Sequence, residues 1–236
     1  MEGRPAMTIR TTLPLAAIVI ATACSSTANY QSPQLAQRAQ QHQVIAVLPF
    51  SMVFTGRAPG DLTPDQIARI EEDESVAFQT AYYHWLLQQS SVDRKHPIRI
   101  EIQPVAETNL LLAEQGISVR DSWGMSAKSL ARALRVDAVV STSVTKTRYL
   151  SGVESFAIET GFNIVSEISE GQLAPFLPWG LSTTNDIQAA SEIIDALDGV
   201  VLWQDDLSAS TDWRAPANDV IAGFTRELAK KFPYRG

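Results

Sequence analysis

The chain has 236 residues, of which 45% are hydrophobic and 19% are charged, and its net charge at pH 7 is −7. A chain of this size and composition can bury one good core, and its acidic balance argues against nonspecific binding to nucleic acid. Cys24 is its only cysteine, which excludes a disulfide framework and a catalytic thiol elsewhere in the chain.

Residues 1–23 have the three parts of a bacterial export signal. Arg10 supplies a positive charge, the apolar run Leu13–Ala21 follows, and small residues lead up to Cys24. A helix needs about 20 apolar residues to cross a bilayer, so this shorter run predicts a signal peptide that is removed rather than a permanent membrane span. Either the first or the second methionine of the chain is the start.

The segment Ile20-Ala21-Thr22-Ala23-Cys24 resembles the bacterial lipobox, although that motif prefers leucine where this chain has Ala21. The resemblance implies cleavage between Ala23 and Cys24. It also implies lipidation of Cys24 by a diacylglyceryl thioether and an amine-linked acyl chain such as palmitate. Ser25 stands in place of the aspartate that signals inner-membrane retention, which favours the outer membrane and a domain facing the periplasm. The alternative is an ordinary secretory signal with a chance cysteine.

Residues 24–42 are polar and rich in Ser, Gln and Ala, which predicts a lipidated tether with a short helix over Gln34–Gln41. Residues 43–236 are then expected to form a single α/β domain that folds without the tether. Its first element is Val44–Phe50, a continuous apolar run that is typical of a strand buried on both faces.

A long helical region follows the first strand. Thr63 can cap the helix, Pro64 suits its first position and Gln66 completes a capping box. Apolar residues at near-helical spacing continue to Trp85, in one helix or in two. We interpret the acidic run Glu71–Glu74 as a solvated helix face, with a cation site as the alternative.

Strands and helices then alternate along the chain. The predicted elements are strand Ile98–Ile102, helices Val105–Gln115 and Ser126–Leu134, strand Asp137–Val144, strands Asp186–Ile194 and Val200–Ala209 joined by an Asp198-Gly199 turn, and helix Ala217–Lys231. This order predicts an α/β sandwich of two or three layers around a mixed sheet. The sheet is expected to be parallel in its N-terminal part and to end in an antiparallel C-terminal hairpin.

The segment 149–181 interrupts that order as an insertion, and its apolar spacing fits both a strand and an imperfect helix. It ends in an apolar, turn-prone loop in which Phe176, Leu177 and Trp179 stand among prolines. Because inserted loops often carry functional residues, these three residues are the predicted partner-binding site. The alternative is a lid that folds onto the sheet and buries its own aromatic side chains.

Three stretches, in this order, resemble one superfamily of bacterial envelope proteins: Ile45–Phe50, Leu130–Val144 and Ile193–Trp203. The superfamily includes the curli secretion channel lipoprotein, the TolB amino-terminal domain and activators of penicillin-binding proteins. The closest resemblance is to its uncharacterised lipoproteins. Arg135-Val136 stands where the group typically has Gly-Ala. The resemblance implies the fold, the compartment and a non-enzymatic role, and it implies no particular partner.

The sequence contains no catalytic or metal-binding constellation. His42, His84 and His96 lack metal-ligand spacing, and nucleophile-elbow, phosphate-loop and dinucleotide motifs are absent. We therefore expect no enzymatic activity, no metal and no cofactor other than the covalent lipid on Cys24.

Two functions fit these expectations. The chain is either a non-catalytic adaptor that docks on another envelope protein or a self-associating subunit of a secretion or envelope assembly. A channel subunit needs alternating strands of about 9–11 residues, and in the insertion only Ser155–Ile164 approaches that pattern. The adaptor is therefore the leading hypothesis. Both roles use the membrane anchor, and neither needs nucleic acid.

Overall fold

The computed structural model of the chain describes residues 30–56, 63–92, 98, 100–147, 187–209 and 217–234. Ala23, Cys24 and the whole insertion with Phe176, Leu177 and Trp179 lie outside these described residues. The predicted cleavage, lipidation and loop contacts therefore stay predictions. In the described part of the chain, no helix has the length and apolar character needed to cross a membrane.

Within the described residues, seven strands form one mixed sheet in the order β1-β7-β6-β5-β2-β4, and β3 also pairs with β5. Strand β5 runs parallel to β2 and β3, whereas β5, β6 and β7 pair antiparallel. The predicted parallel part and antiparallel hairpin are confirmed. The strands are β1 Tyr30–Gln31, β2 Val44–Val47, β3 Ser51–Phe54, β4 Glu101–Ile102, β5 Ala138–Lys146, β6 Ile187–Asp195 and β7 Val201–Ala209.

Strands β2 and β3 lie along the same edge of β5 and are separated by a bulge at Pro49. Val47 lies opposite Val140, and Ser51 lies opposite Ser143. The three residues between β2 and β3 therefore face only two residues of β5. Proline has no backbone N–H to donate to the ladder, which explains the interruption. The predicted first strand is confirmed over β2, and its continuation as β3 was not predicted.

Six helices are described, and the longest begins at the predicted capping box. The Thr63 amide donates to Oε1 of Gln66 at 2.8 Å, and the Gln66 amide donates to Oγ1 of Thr63 at 3.3 Å. The region then continues as one helix of 29 residues rather than two. The helices are α1 Leu35–Ala39, α2 Pro64–Val92, α3 Val105–Glu114, α4 Val119–Gly124, α5 Ala127–Leu134 and α6 Ala217–Lys230.

Helices cover both faces of the sheet and give it three layers. Successive residues of a strand point to opposite faces, and Ile45 and Ala46 accordingly belong to different buried clusters. The cluster with Ile45 contains Phe78 of α2 and Phe224 of α6. The cluster with Ala46 contains residues of α3 and α5, such as Leu130.

The acidic run on α2 is partly buried. Glu74 is fully buried and forms an ion pair with the equally buried ammonium of Lys146, the last residue of β5. Glu71 and Glu72 contact the guanidinium of Arg120 at 2.8 and 3.2 Å. The interpretation as a solvated face is therefore wrong for Glu74, because a long-range lysine supplies its countercharge. Within the described residues, no three His, Cys, Asp or Glu side chains group as metal ligands.

The second half of the predicted tether packs on the domain. Strand β1 pairs with β7, and Leu35 of α1 is 4% exposed in the main core. The short helix predicted over Gln34–Gln41 is present as α1. Residues 30–42 thus differ from a free tether, because Leu35 belongs to the main core and the side chains of Arg38 and His42 contact Asp195 of β6.

Candidate interaction surface at the hairpin end

The β6–β7 turn closes one end of the sheet, which we call the hairpin end: Asp195–Val200 with the side chains that pack around it. The opposite end, which we call the Ala209 end, is where Lys146, Ile187 and Ala209 lie side by side in register. Charged and polar side chains of residues 30–42, of β6 and of the C-terminal residues meet at the hairpin end.

Two aspartates fix the backbone of the turn. Oδ1 of Asp195 accepts from the Leu197 amide at 2.7 Å, and Oδ1 of Asp198 accepts from the Val200 amide at 3.1 Å. Gly199 has a φ of 80°, a conformation that glycine adopts without a steric penalty. The predicted Asp198-Gly199 turn is therefore confirmed, and both carboxylates make the local hydrogen bonds that favour aspartate in turns. A turn held in this way presents Leu197 in a fixed position.

The guanidinium of Arg38 joins the two turn aspartates to α1. Its Nη1 lies 3.0 Å from Oδ2 of Asp195, and its Nη2 lies 2.7 Å from Oδ2 of Asp198. The amide of Val200, and after it the Arg38 side chain, lower the pKa of Asp198 below its ordinary value. Both contacts favour the ionised form of Asp198, so Arg38 of α1 is held to the turn by charge at neutral pH.

His42 extends this network to the C-terminal residues. Its Nδ1 lies 2.7 Å from the Tyr234 hydroxyl, and its Nε2 lies 3.3 Å from Oδ2 of Asp195. Burial, and then the charges of Asp195 and Asp137, raise the pKa of Tyr234. The protonated hydroxyl can donate to Nδ1 while Nε2–H donates to Asp195. Since each donor has an acceptor within the chain, the arrangement serves to hold three segments together.

The turn also exposes apolar surface. Leu197 is 75% exposed and Val200 is 41% exposed. Helix α5 supports the turn, because a Cβ built on Gly199 would lie 3.5 Å from the side chain of Lys128. Leu197 is the most exposed large hydrophobic residue of the described chain. The hairpin end therefore offers an exposed apolar side chain on a fixed turn, with charged side chains around it.

Most of these residues were not singled out by the sequence analysis. His42 was assigned to the tether, and His84 lies on α2 while His96 lies outside the described residues. Arg38 and Asp195 are separated by 157 positions, so no local pattern could join them. The one available signal was the Asp198-Gly199 turn, which was predicted. The candidate contacts Phe176, Leu177 and Trp179 lie outside the described residues and are not tested by this geometry.

No protein-family model and no curated protein sequence matches the chain. Solved structures do match. The PelC dodecamer from Paraburkholderia phytofirmans is 14% identical with a TM-score of 0.38, over 86% of this chain and 93% of that chain. Lipoprotein GNA1162 from Neisseria meningitidis is 12% identical with a TM-score of 0.43, over 80% and 96%. The LpoB C-terminal domain from Salmonella enterica is 11% identical with a TM-score of 0.35, over 76% and 94%.

At such identities and TM-scores, the likeness says nothing of what this chain binds or does.

Proposed function

We propose that this chain is a lipoprotein, lipidated at Cys24, that faces the periplasm from the outer membrane and acts as a non-catalytic accessory factor for another envelope protein. The export-signal pattern of residues 1–23 and the lipobox resemblance support the anchor. The observation that carries the docking role is the position of Leu197, which is 75% exposed on a turn fixed by side-chain hydrogen bonds.

A fixed apolar side chain is suited to binding. Burying a leucine side chain contributes about 1.5–3 kcal/mol, and a turn that is already ordered loses little conformational freedom on association. Val200 adds further exposed apolar surface, and Asp198 and Arg38 supply a charged rim. The proposed partner therefore offers an apolar pocket bordered by polar groups.

A photo-cross-linking amino acid tests this surface in living cells. It is placed at Leu197 and, as the matched control, at Leu110, which is 59% exposed on α3. The proposal predicts a specific cross-linked product from position 197 and none from position 110. Equal products from both positions, or none from position 197, would contradict it.

The alternative function, self-association in an envelope assembly, has a distinct outcome in the same experiment. If mass spectrometry of the product from position 197 finds peptides of this chain alone, the hairpin end binds a second copy. If it finds peptides of another envelope protein, the accessory role is supported.

The loop residues Phe176, Leu177 and Trp179 are a second proposed contact, based on the sequence pattern. Replacing all three by serine removes the apolar surface and keeps the chain length. Lost partner recovery at an unchanged melting temperature would support a direct contact. A large fall in melting temperature, or unchanged recovery, would mean that these residues are not an interface.

A further inference from the structure

Helix α5 lies along the hairpin turn and contacts it near both of its ends. Near the N-terminus of the helix, a Cβ built on Gly199 would lie 3.5 Å from the Cβ of Lys128. Just beyond its C-terminus, the Asp137 carbonyl accepts a hydrogen bond from the Ala196 amide at 2.9 Å. Ala196 and Gly199 are on either side of Leu197 in the turn, so the exposed side chains of α5 lie beside this leucine.

Three basic side chains follow one face of α5. Lys128 and Arg132 are four residues apart, and Arg135 is the C-cap residue three positions further on, so the turns of the helix bring all three to the same side. Arg132 and Arg135 are exposed, and Lys128 is half-buried where its stem packs on Gly199. Among the described residues, no acidic side chain forms an ion pair with any of the three.

The charged groups of the turn itself are already occupied. The guanidinium of Arg38 lies 2.7 Å from Asp198 and 3.0 Å from Asp195. The carboxylate of Asp137 accepts from two backbone amides at 2.7 and 3.0 Å. The turn therefore contributes no excess positive charge. The basic face beside Leu197 comes from α5, in a chain whose net charge is −7.

The stability of α5 does not account for these residues. Lys128 lies in the first turn of the helix, where the helix dipole disfavours a cation. Arg135 has a φ of 58°, a left-handed conformation that glycine adopts without the steric cost of a side chain. Each of the two thus places a positive charge at a position where another residue would suit the helix better.

We propose that Lys128, Arg132 and Arg135 bind acidic groups that border the partner's pocket for Leu197. The inference rests on the proposed accessory function and names the chemistry of the partner, which is a protein surface with aspartate or glutamate side chains around an apolar pocket. Complementary charges at the rim of an interface steer the encounter and fix the orientation of the two proteins. Attraction to an anionic lipid surface typically uses clusters of about 4–8 basic residues, more than α5 offers, so a protein is the favoured occupant.

Replacing Arg135 by glycine separates the charge from stability. Glycine relieves the left-handed backbone conformation, so Arg135→Gly should melt no lower than the wild type. The loss of a rim charge should lower the yield of the photo-cross-linked product from position 197 by about two- to fivefold. Arg135→Lys keeps the charge and should retain most of the yield. A yield for Arg135→Lys as low as that for Arg135→Gly would show that the charge is not what binds.

A pair of double variants controls for net charge. Arg132→Gln/Arg135→Gln removes two charges from α5, and Arg69→Gln/Lys230→Gln removes two exposed charges from other helices. The yield from position 197 should fall further for the α5 variant than for Arg135→Gly and stay at the wild-type level for the control. Equal yields from the two double variants would overturn the proposal.

Salt gives a second measurement on the unaltered chain. In isolated native membranes, raising the salt from about 0.1 M to about 1 M shortens the electrostatic screening length from ~10 Å to ~3 Å. The wild-type yield should then fall toward that of the α5 double variant, whose own yield should change less. A wild-type yield that does not depend on salt would overturn the proposal.

These outcomes distinguish failure of the inference from failure of the proposed function. A specific protein product from position 197 whose yield ignores the α5 variants and the salt overturns the acidic rim and keeps the accessory role. No product from position 197, a product of this chain alone, or a product with lipid overturns both. Mass spectrometry of the linked partner peptide should find Asp or Glu near the linked site, and a site flanked by Lys and Arg instead would contradict the inference.

Discussion

The ion pair between Glu74 and Lys146 yields a quantitative prediction about stability. Both side chains are 0% exposed, and the pair joins α2 to the end of β5. Removing one partner of a buried ion pair leaves an uncompensated charge and typically costs about 3–5 kcal/mol. Lys146→Met keeps most of the side-chain volume and removes the charge. For a domain of this size each kcal/mol lowers the melting temperature by about 2–4 °C, so we expect a fall of roughly 6–20 °C.

The double variant Glu74→Leu/Lys146→Met separates charge from packing. Replacing a whole buried ion pair by apolar side chains is often neutral or stabilising, so the double variant should melt well above Lys146→Met. Thermal unfolding followed by circular dichroism compares the wild type, Glu74→Leu, Lys146→Met and the double variant. Arg120→Met is the control, because its side chain is 42% exposed and exposed pairs contribute about 0–1 kcal/mol. If Lys146→Met melts no lower than Arg120→Met, the reasoning from burial is wrong.

Three further predictions concern the anchor, the N-terminal segment and the buried tyrosines. Cys24→Ala should leave the chain uncleaved or soluble. If this variant partitions like the wild type in detergent phase separation, lipidation of Cys24 is contradicted. A chain beginning at Gln41 should melt below one beginning at Tyr30, because it lacks β1 and α1; equal melting temperatures would restore the tether interpretation. Burial raises the pKa of Tyr82 and Tyr234 above the ordinary value of about 10. The protonated form is thus favoured in the folded state, and this contribution to stability is present below pH ~10 and lost as the pH rises further. An ultraviolet titration in which both tyrosines ionise with ordinary pKa values while the chain stays folded would refute this prediction.

Features set by neighbouring residues were predictable from the sequence. The capping box of Thr63 and Gln66 and the glycine turn at Gly199 each depend on residues within four positions. Helix α4 carries the same kind of signal, since Ser118 and Asp121 form its capping box. It was missed although the pattern was present in the sequence.

Features set by distant residues were not predictable. The acidic residue Glu74 has its countercharge on Lys146, and Arg38 meets Asp195 only because β1 and α1 return to the hairpin end. For the same reason, the sequence did not predict the hairpin end as a candidate surface. In the sequence, Leu197 is one more leucine near a turn, and its 75% exposure depends on how the strands and α5 assemble around it.

Partner recovery from variants at the hairpin end tests the proposed accessory function most directly. Leu197→Asp places a charge on the proposed contact, and Leu110→Asp makes the same change at a comparably exposed leucine on α3. Both variants should keep the wild-type melting temperature, because neither side chain is buried. The account predicts that recovery of the cross-linked envelope partner falls at least about tenfold for Leu197→Asp, as for loss of an interface anchor, and stays at the wild-type level for Leu110→Asp. Equal recovery from the two variants would contradict the claim that the hairpin end is where this chain binds.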